Sequence, residues 1–154
     1  MKLVLIRHCK AYESYEDPER RLNEQGIQEA KIVARLLKKT NWKFKEILTS
    51  PILRAVQTCE VFNQEFHLPI VQRVELKPNN ALVYFDSLLA SYHANDAIII
   101  VFHMPDVAEI AARILKLPSN NLYVSTGGMI GINLTNIQRL EGILVFMYQP
   151  ELLD

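Results

Sequence analysis

Arg7 and His8 stand directly behind the apolar run Leu3-Val4-Leu5-Ile6. Arginine holds oxyanions through paired N–H donors, and histidine can attack an electrophile or carry a proton near neutral pH. The arrangement recurs twice. Glu46-Ile47-Leu48-Thr49 runs into Ser50-Pro51 with Arg54 close behind, and Ala97-Ile98-Ile99-Ile100-Val101-Phe102 runs into His103. Each group alone reads as a solvated strand end or a surface arginine. Two histidines with two or more arginines at one sheet edge would instead form a cationic pocket for a tetrahedral oxyanion, phosphate above all.

The elements that must carry these groups are those of an α/β protein. The short β-branched and leucine-rich runs are strands, and the continuous run 97–102 requires a sheet covered on both faces. Between them lie amphipathic stretches. Ile27, Ala30, Val33, Ala34 and Leu37 recur at helical spacing over 26–39, with Gln28, Glu29 and Lys31 on the other side and Asn23 placed to cap the start. Leu53, Val56, Cys59, Phe62 and Phe66 mark a second helix, with Ser50 as its cap and Pro51 in its first turn. A third strand is expected at 71–74, and a third helix through Leu82, Phe85, Leu88, Leu89 and Tyr92. Val107, Ala108, Ala111, Ile114 and Leu115 trace a fourth helix; 129–134 and 142–148 are two closing strands. Parallel strands separated by helices bring their carboxyl ends together, which is where such sheets bind ligands. The expectation is a three-layer α/β/α sandwich with a mostly parallel central sheet, forming one domain over 1–154.

Composition narrows the function. Lys+Arg and Asp+Glu are balanced at 17 each, which gives no global electrostatic case for nucleic acid or an anionic membrane. No apolar run approaches the ~18 residues of a membrane span, and the opening run is too short for a signal-peptide core. A cytoplasmic, full-length protein is expected. The two cysteines, Cys9 and Cys59, have no metal-type spacing. Arginines beside the two histidines would repel a cation, and no carboxylate accompanies them at ligand spacing, so neither metal nor cofactor is expected. Glycine-rich phosphate loops and a Gly-x-Ser-x-Gly elbow are both missing, and Gly127-Gly128 is too little to stand for one.

Leu5-Ile6-Arg7-His8, Ser50-Pro51-Ile52-Leu53-Arg54-Ala55-Val56-Gln57-Thr58 and Phe102-His103-Met104-Pro105 together resemble the histidine phosphatase superfamily, whose fold is phosphoglycerate-mutase-like. Their order and the short chain resemble most its small phosphohistidine-phosphatase branch. The resemblance implies a cofactor-independent phosphatase in which His8 accepts the phosphoryl group. Arg7 and Arg54 would hold its equatorial oxygens, and His103 would complete the pocket. Arg20 would reach the phosphate as well, with Arg21 as the fallback, and Ser125-Thr126-Gly127 would lie beside the pocket. Larger members carry a glutamate in an insertion after the third strand; here Glu75-Leu76-Lys77-Pro78 occupies that region, and Glu75 and Asp17 are the candidate acids. For Asp17 the first expectation is a salt bridge to Arg20, with the acid role second. A labile P–N bond would tolerate a weak acid best, because imidazole is easily protonated as it leaves. That favours phosphohistidine in a partner protein as substrate; a small phosphomonoester and a silent phosphoprotein-binding module are the alternatives. Cys9 departs from the usual glycine after the nucleophile, so it either strains the loop, offers a reactive thiol or packs inertly. The oligomeric state is open.

Overall fold

A computed structural model describes residues 1–150. Its sheet holds six strands: β1 (Lys2–Arg7), β2 (Glu46–Thr49), β3 (Ile70–Gln72), β4 (Ala97–Phe102), β5 (Met129–Asn136) and β6 (Glu141–Tyr148). They lie in the order β3-β2-β4-β1-β5-β6. The first four in that order are parallel; β5 runs antiparallel to β1, and β6 antiparallel to β5. The helices are α1 (Glu24–Lys38), α2 (Leu53–Phe66), α3 (Ala81–Leu89) and α4 (Asp106–Leu115).

Strand alternation divides the core in two. Leu3, Leu5, Leu48, Ile98 and Ile100 face α3 and α4, where they meet Phe85, Leu89, Ala111 and Ile114. Val4, Ile6, Ile47, Ile99 and Val101 face α1 and α2, where they meet Val33, Leu37, Ala55 and Phe62. Every residue of β4 is buried, as its unbroken apolar run requires. Each large aliphatic side chain enclosed this way contributes about 1.5–3 kcal/mol of transfer free energy. The expected three-layer α/β/α sandwich is the fold that forms.

Several local boundaries differ. Asn23 does cap α1, accepting from the Gly26 N–H at 2.8 Å, but the helix begins at Glu24 rather than 26. The cap position of α2 is Ile52, not Ser50, and no side chain caps it. Pro51 and Ile52 instead form the bend that leads in, and the Ser50 hydroxyl just ahead of it has another partner, described below. The third strand is the shorter Ile70–Gln72, since Val74–Leu76 turns into a 3₁₀ segment. Leu82 lies on the exposed side of α3, and Tyr92 falls beyond its end.

Candidate active site

The register of the sheet sets the site. Arg7 pairs with Phe102 across β1 and β4, and Thr49 with Val101 across β2 and β4. The carboxyl ends of β1, β4 and β2 are therefore contiguous, and the three motifs meet at one edge. A cavity of about 310 Å³ opens there, lined by Arg7, His8, Lys10, Ala11, Glu13, Arg20, Arg54, Pro78, His103, Met104 and Thr126.

His8 is buried, its N–H bonded to the Phe102 carbonyl at 3.0 Å. Its ring has two partners. Nδ1 lies 2.8 Å from the Cys9 carbonyl, which can only accept, and Nε2 lies 3.2 Å from the Arg54 Nε–H, which can only donate. The proton is thus on Nδ1, and Nε2 presents a lone pair to the pocket. Burial, helped by His103, Arg54 and Arg7 and opposed by the Cys9 carbonyl, lowers the His8 pKa to about 3. Burial and the cations Arg54, Arg7 and Arg20 likewise take His103 down to about 3. Both imidazoles are neutral at pH 7. The ring centroids are 5.2 Å apart.

The guanidinium groups are held from outside the pocket. Arg7 Nη1 donates to the Val124 carbonyl at 3.0 Å, while its buried Nε has no partner among the described residues. Arg20 Nε donates to the Tyr12 carbonyl at 3.1 Å. Burial, Arg20 and Arg7 all lower the pKa of Arg54. Crowding of cations around neutral imidazoles is relieved by an anion, so the electrostatics of the pocket favour one.

Arg20 reaches the wall through an unusual backbone. Its φ is +53°, in the left-handed region, which costs a residue with a Cβ about 1–2 kcal/mol. The turn is held by the Arg20 N–H on the Asp17 carbonyl at 2.9 Å. It separates the two neighbouring arginines. Arg21 faces outward and pairs with the Asp17 carboxylate at 2.7 Å. Asp17 is therefore bound to Arg21, not Arg20; that contact holds its carboxyl below the usual range and keeps it out of the pocket wall. Glu75 is also drawn elsewhere. It pairs with Arg73, two residues away, at 2.8 Å, and this partner lowers its pKa. Neither expected acid lines the cavity; Glu13 does.

Cys9 behaves as a packing residue. Its φ is not in the left-handed region, its side chain is fully buried, and burial raises its thiol pKa well above the ordinary value. Burial thus disfavours a thiolate at Cys9, and its φ carries no left-handed strain. Its N–H donates to Thr58 Oγ1 at 3.0 Å, and that hydroxyl donates to the Arg54 carbonyl at 2.8 Å. Thr58 so ties the loop after His8 to the helix that carries Arg54. The next residue is fixed too. Lys10 N–H donates to Glu29 Oε2 at 3.0 Å, and a Cβ on Gly26 would stand 1.9 Å from the Lys10 carbonyl oxygen, so only glycine admits this approach.

Sequence reasoning placed Glu29 on the polar side of its helix, yet it is buried and also meets Thr126 Oγ1 at 3.4 Å. A carboxylate one turn after a glycine that opens a helix was the available signal. Thr126 lines the pocket as expected of its segment, whose Gly127 N–H bonds the Arg7 and His8 carbonyls at 3.1 and 3.2 Å. Lys10, Glu13, Pro78 and Met104 carried no signal beyond proximity to the motifs. Among the described residues no cluster of three or more His, Cys, Asp or Glu could hold a metal ion, and no helix is long and apolar enough to cross a membrane.

Comparison with known proteins fits this geometry. Residues 3–81 match the model of the histidine phosphatase superfamily (branch 1). An uncharacterised protein of Picosynechococcus sp. is 32% identical over 139 residues, covering 86% of this chain and 84% of that one. The phosphoglycerate mutase of Schizosaccharomyces pombe is 32% identical over 91 residues, 54% of this chain and 42% of the mutase. Among solved structures, the protein histidine phosphatase SixA complexed with tungstate superposes with a TM-score of 0.82 at 24% identity, covering 100% of both chains. The alpha-ribazole phosphatase of Shigella flexneri gives 0.70 at 18% identity, covering 96% of each chain. At these identities the two structures speak to the fold.

Proposed function

We propose that the chain, which belongs to the histidine phosphatase superfamily and is a phosphatase, works without a cofactor through a phosphohistidine on His8, and that its substrate is a phosphohistidine side chain of a partner protein. The observation that carries this reading is the state of His8. Its Nδ1–H is engaged by the Cys9 carbonyl and its Nε2 lone pair is turned to a pocket whose wall includes Arg7, Arg20 and Arg54.

Phosphoryl transfer needs positioning and charge stabilisation more than covalent help from the protein. In this reading a phosphoryl group enters, and Arg54 moves its N–H from His8 Nε2 to a phosphoryl oxygen. Arg7, Arg20 and His103 meet the remaining oxygens. Nε2 attacks phosphorus in line, the bond from phosphorus to the leaving nitrogen breaks, and that imidazole takes a proton from solvent. Water then attacks phospho-His8, phosphate departs with the solvent's oxygen, and Nε2 recovers its lone pair. Burial of His8 keeps the nucleophile unprotonated throughout the neutral range.

The substrate class rests on the acid. Asp17 and Glu75 are bound to Arg21 and Arg73, so neither stands ready to protonate a poor leaving group. A leaving imidazole has little need of one. SixA, similar in fold, is a protein histidine phosphatase whose structure is complexed with tungstate, a tetrahedral oxyanion. Glu13 in the pocket wall favours a second reading, a small phosphomonoester with Glu13 as proton donor.

Turnover of a histidine-phosphorylated carrier protein against an aryl phosphate separates the two. Phosphohistidine is expected to be preferred, with an acid-labile phosphoenzyme that disappears together with turnover in His8→Ala. Turnover retained by His8→Ala would overturn the nucleophile. Preference for the ester, lost in Glu13→Gln, would favour the second reading.

A further inference from the structure

Ser50 is outside the pocket wall, yet its side chain touches one of the two imidazoles that form it. It is fully buried just after β2, with its N–H on the Val101 carbonyl at 3.0 Å. Its Oγ has two hydrogen-bonded neighbours among the described residues: the Ile52 N–H at 3.2 Å and His103 Nε2 at 2.8 Å. A backbone N–H can only donate, so Oγ accepts from Ile52. The hydroxyl proton then has a single acceptor within reach, the Nε2 lone pair of His103.

The opposite arrangement is poor. With the proton on Nε2, Oγ would accept twice and its own O–H would be buried with no acceptor. That form leaves two buried groups unpaired, the Ser50 O–H and the His103 Nδ1 lone pair, against one in the other form, the Nδ1–H, and one extra unpaired group is a bias of roughly tenfold. With the proton on Nδ1 instead, Ser50 and Ile52 are both satisfied. One donor is left over, for Nδ1 of His103 is buried and has no partner among the described residues. The ring is in the pocket wall, 5.2 Å from the His8 ring. A lone pair there would repel a phosphoryl oxygen, whereas an N–H would bind it.

We propose that Ser50 is a positioning residue: it holds His103 as the Nδ1–H tautomer, so that the second imidazole meets a phosphoryl oxygen as a hydrogen-bond donor. The serine ahead of the bend thus serves the chemistry rather than the helix cap its sequence context suggests. The identity of the oxygen rests on the phosphatase reading; the tautomer does not.

Ring nitrogen resonances of the ¹⁵N-labelled full chain at pH 7 test it, with orthovanadate as the phosphate analogue. The wild-type chain is expected to show His103 protonated at Nδ1 and bare at Nε2. In Ser50→Ala the two forms should mix, with vanadate affinity and kcat each falling about twofold or more, in proportion to the Nδ1–H population lost. Ser50→Thr, which keeps a hydroxyl, should restore the single tautomer. A wild-type ring protonated at Nε2 overturns the proposal even if neither variant folds. So does a folded Ser50→Ala chain that keeps the Nδ1–H form and its vanadate affinity. A wild-type chain with the Nδ1–H form that binds vanadate yet turns over neither phosphohistidine nor ester sinks the phosphatase reading and leaves the tautomer assignment standing.

Discussion

Cys9 occupies the position after the nucleophile where the family resemblance leads one to expect glycine, and Cys9→Gly asks what that departure does. The side chain is fully buried among Val4, Ile6, Leu22 and Ala30. Removing its methylene and sulfur forfeits about 1.6 kcal/mol of transfer free energy, at ~0.8 kcal/mol per buried methylene-sized group. Glycine adds an entropic cost of about 0.5–1 kcal/mol, because the unfolded chain gains freedom there. Since φ at Cys9 is not left-handed, no strain is relieved in return. The variant should lose about 2–2.5 kcal/mol, which for a chain of this size lowers Tm by roughly 4–10 °C. Urea and thermal unfolding measure that loss, and turnover assayed well below the midpoint should stay within about twofold of wild type, because the Cys9 carbonyl and N–H remain to hold His8 and meet Thr58. Unchanged stability with a tenfold gain in turnover would refute the reasoning: Cys9 would then have been straining the nucleophile loop.

Two other outcomes follow from the same site. Thr58→Val keeps the shape of the side chain but leaves the buried Cys9 N–H without its acceptor, so stability should fall by about 1–3 kcal/mol. Turnover should fall with it by up to ~10²-fold, since a shift of about 1 Å between nucleophile and Arg54 is enough; wild-type kcat in that variant would show the tether to be irrelevant. Protons supply the other test. His8 and His103 are held near pKa 3 in the folded chain against 6.5 unfolded, so between those values the unfolded state binds more protons. Stability is then full above pH 6.5 and declines as pH falls, by up to about 1.4 kcal/mol per unit for each imidazole. Urea unfolding between pH 5 and 8 should show this decline, flattened when both are replaced by asparagine; equal slopes in the two proteins would contradict it.

The sequence was most informative where one residue type decides the structure. The unbroken run of β4 admits only a sheet covered on both faces, and runs ending in Arg7-His8, Ser50 and His103 fix which sheet edge carries the chemistry. It was least informative where two side chains compete for one partner. Asp17 lies three residues from Arg20 and four from Arg21, and only the left-handed turn at Arg20 decides that Arg21 wins. Glu75 stood where an acid was wanted, but a cation two residues away claims it before any substrate can. Ser50 had two plausible uses, and its hydroxyl meets a buried imidazole 2.8 Å away and the Ile52 N–H, short of the first turn of α2. In each case spacing along the chain is the same for both outcomes, and the choice is made by backbone dihedrals and burial that no linear pattern encodes. The cationic edge itself escapes this ambiguity for an electrostatic reason. Arg7 and Arg54 lower the proton affinity of both buried imidazoles, and Arg20 adds to the effect at His103. Such a cluster gains most from an anion when its own counter-charge is small, and with Asp17 and Glu75 bound to neighbouring arginines, Glu13 is the one carboxylate lining the cavity among the described residues.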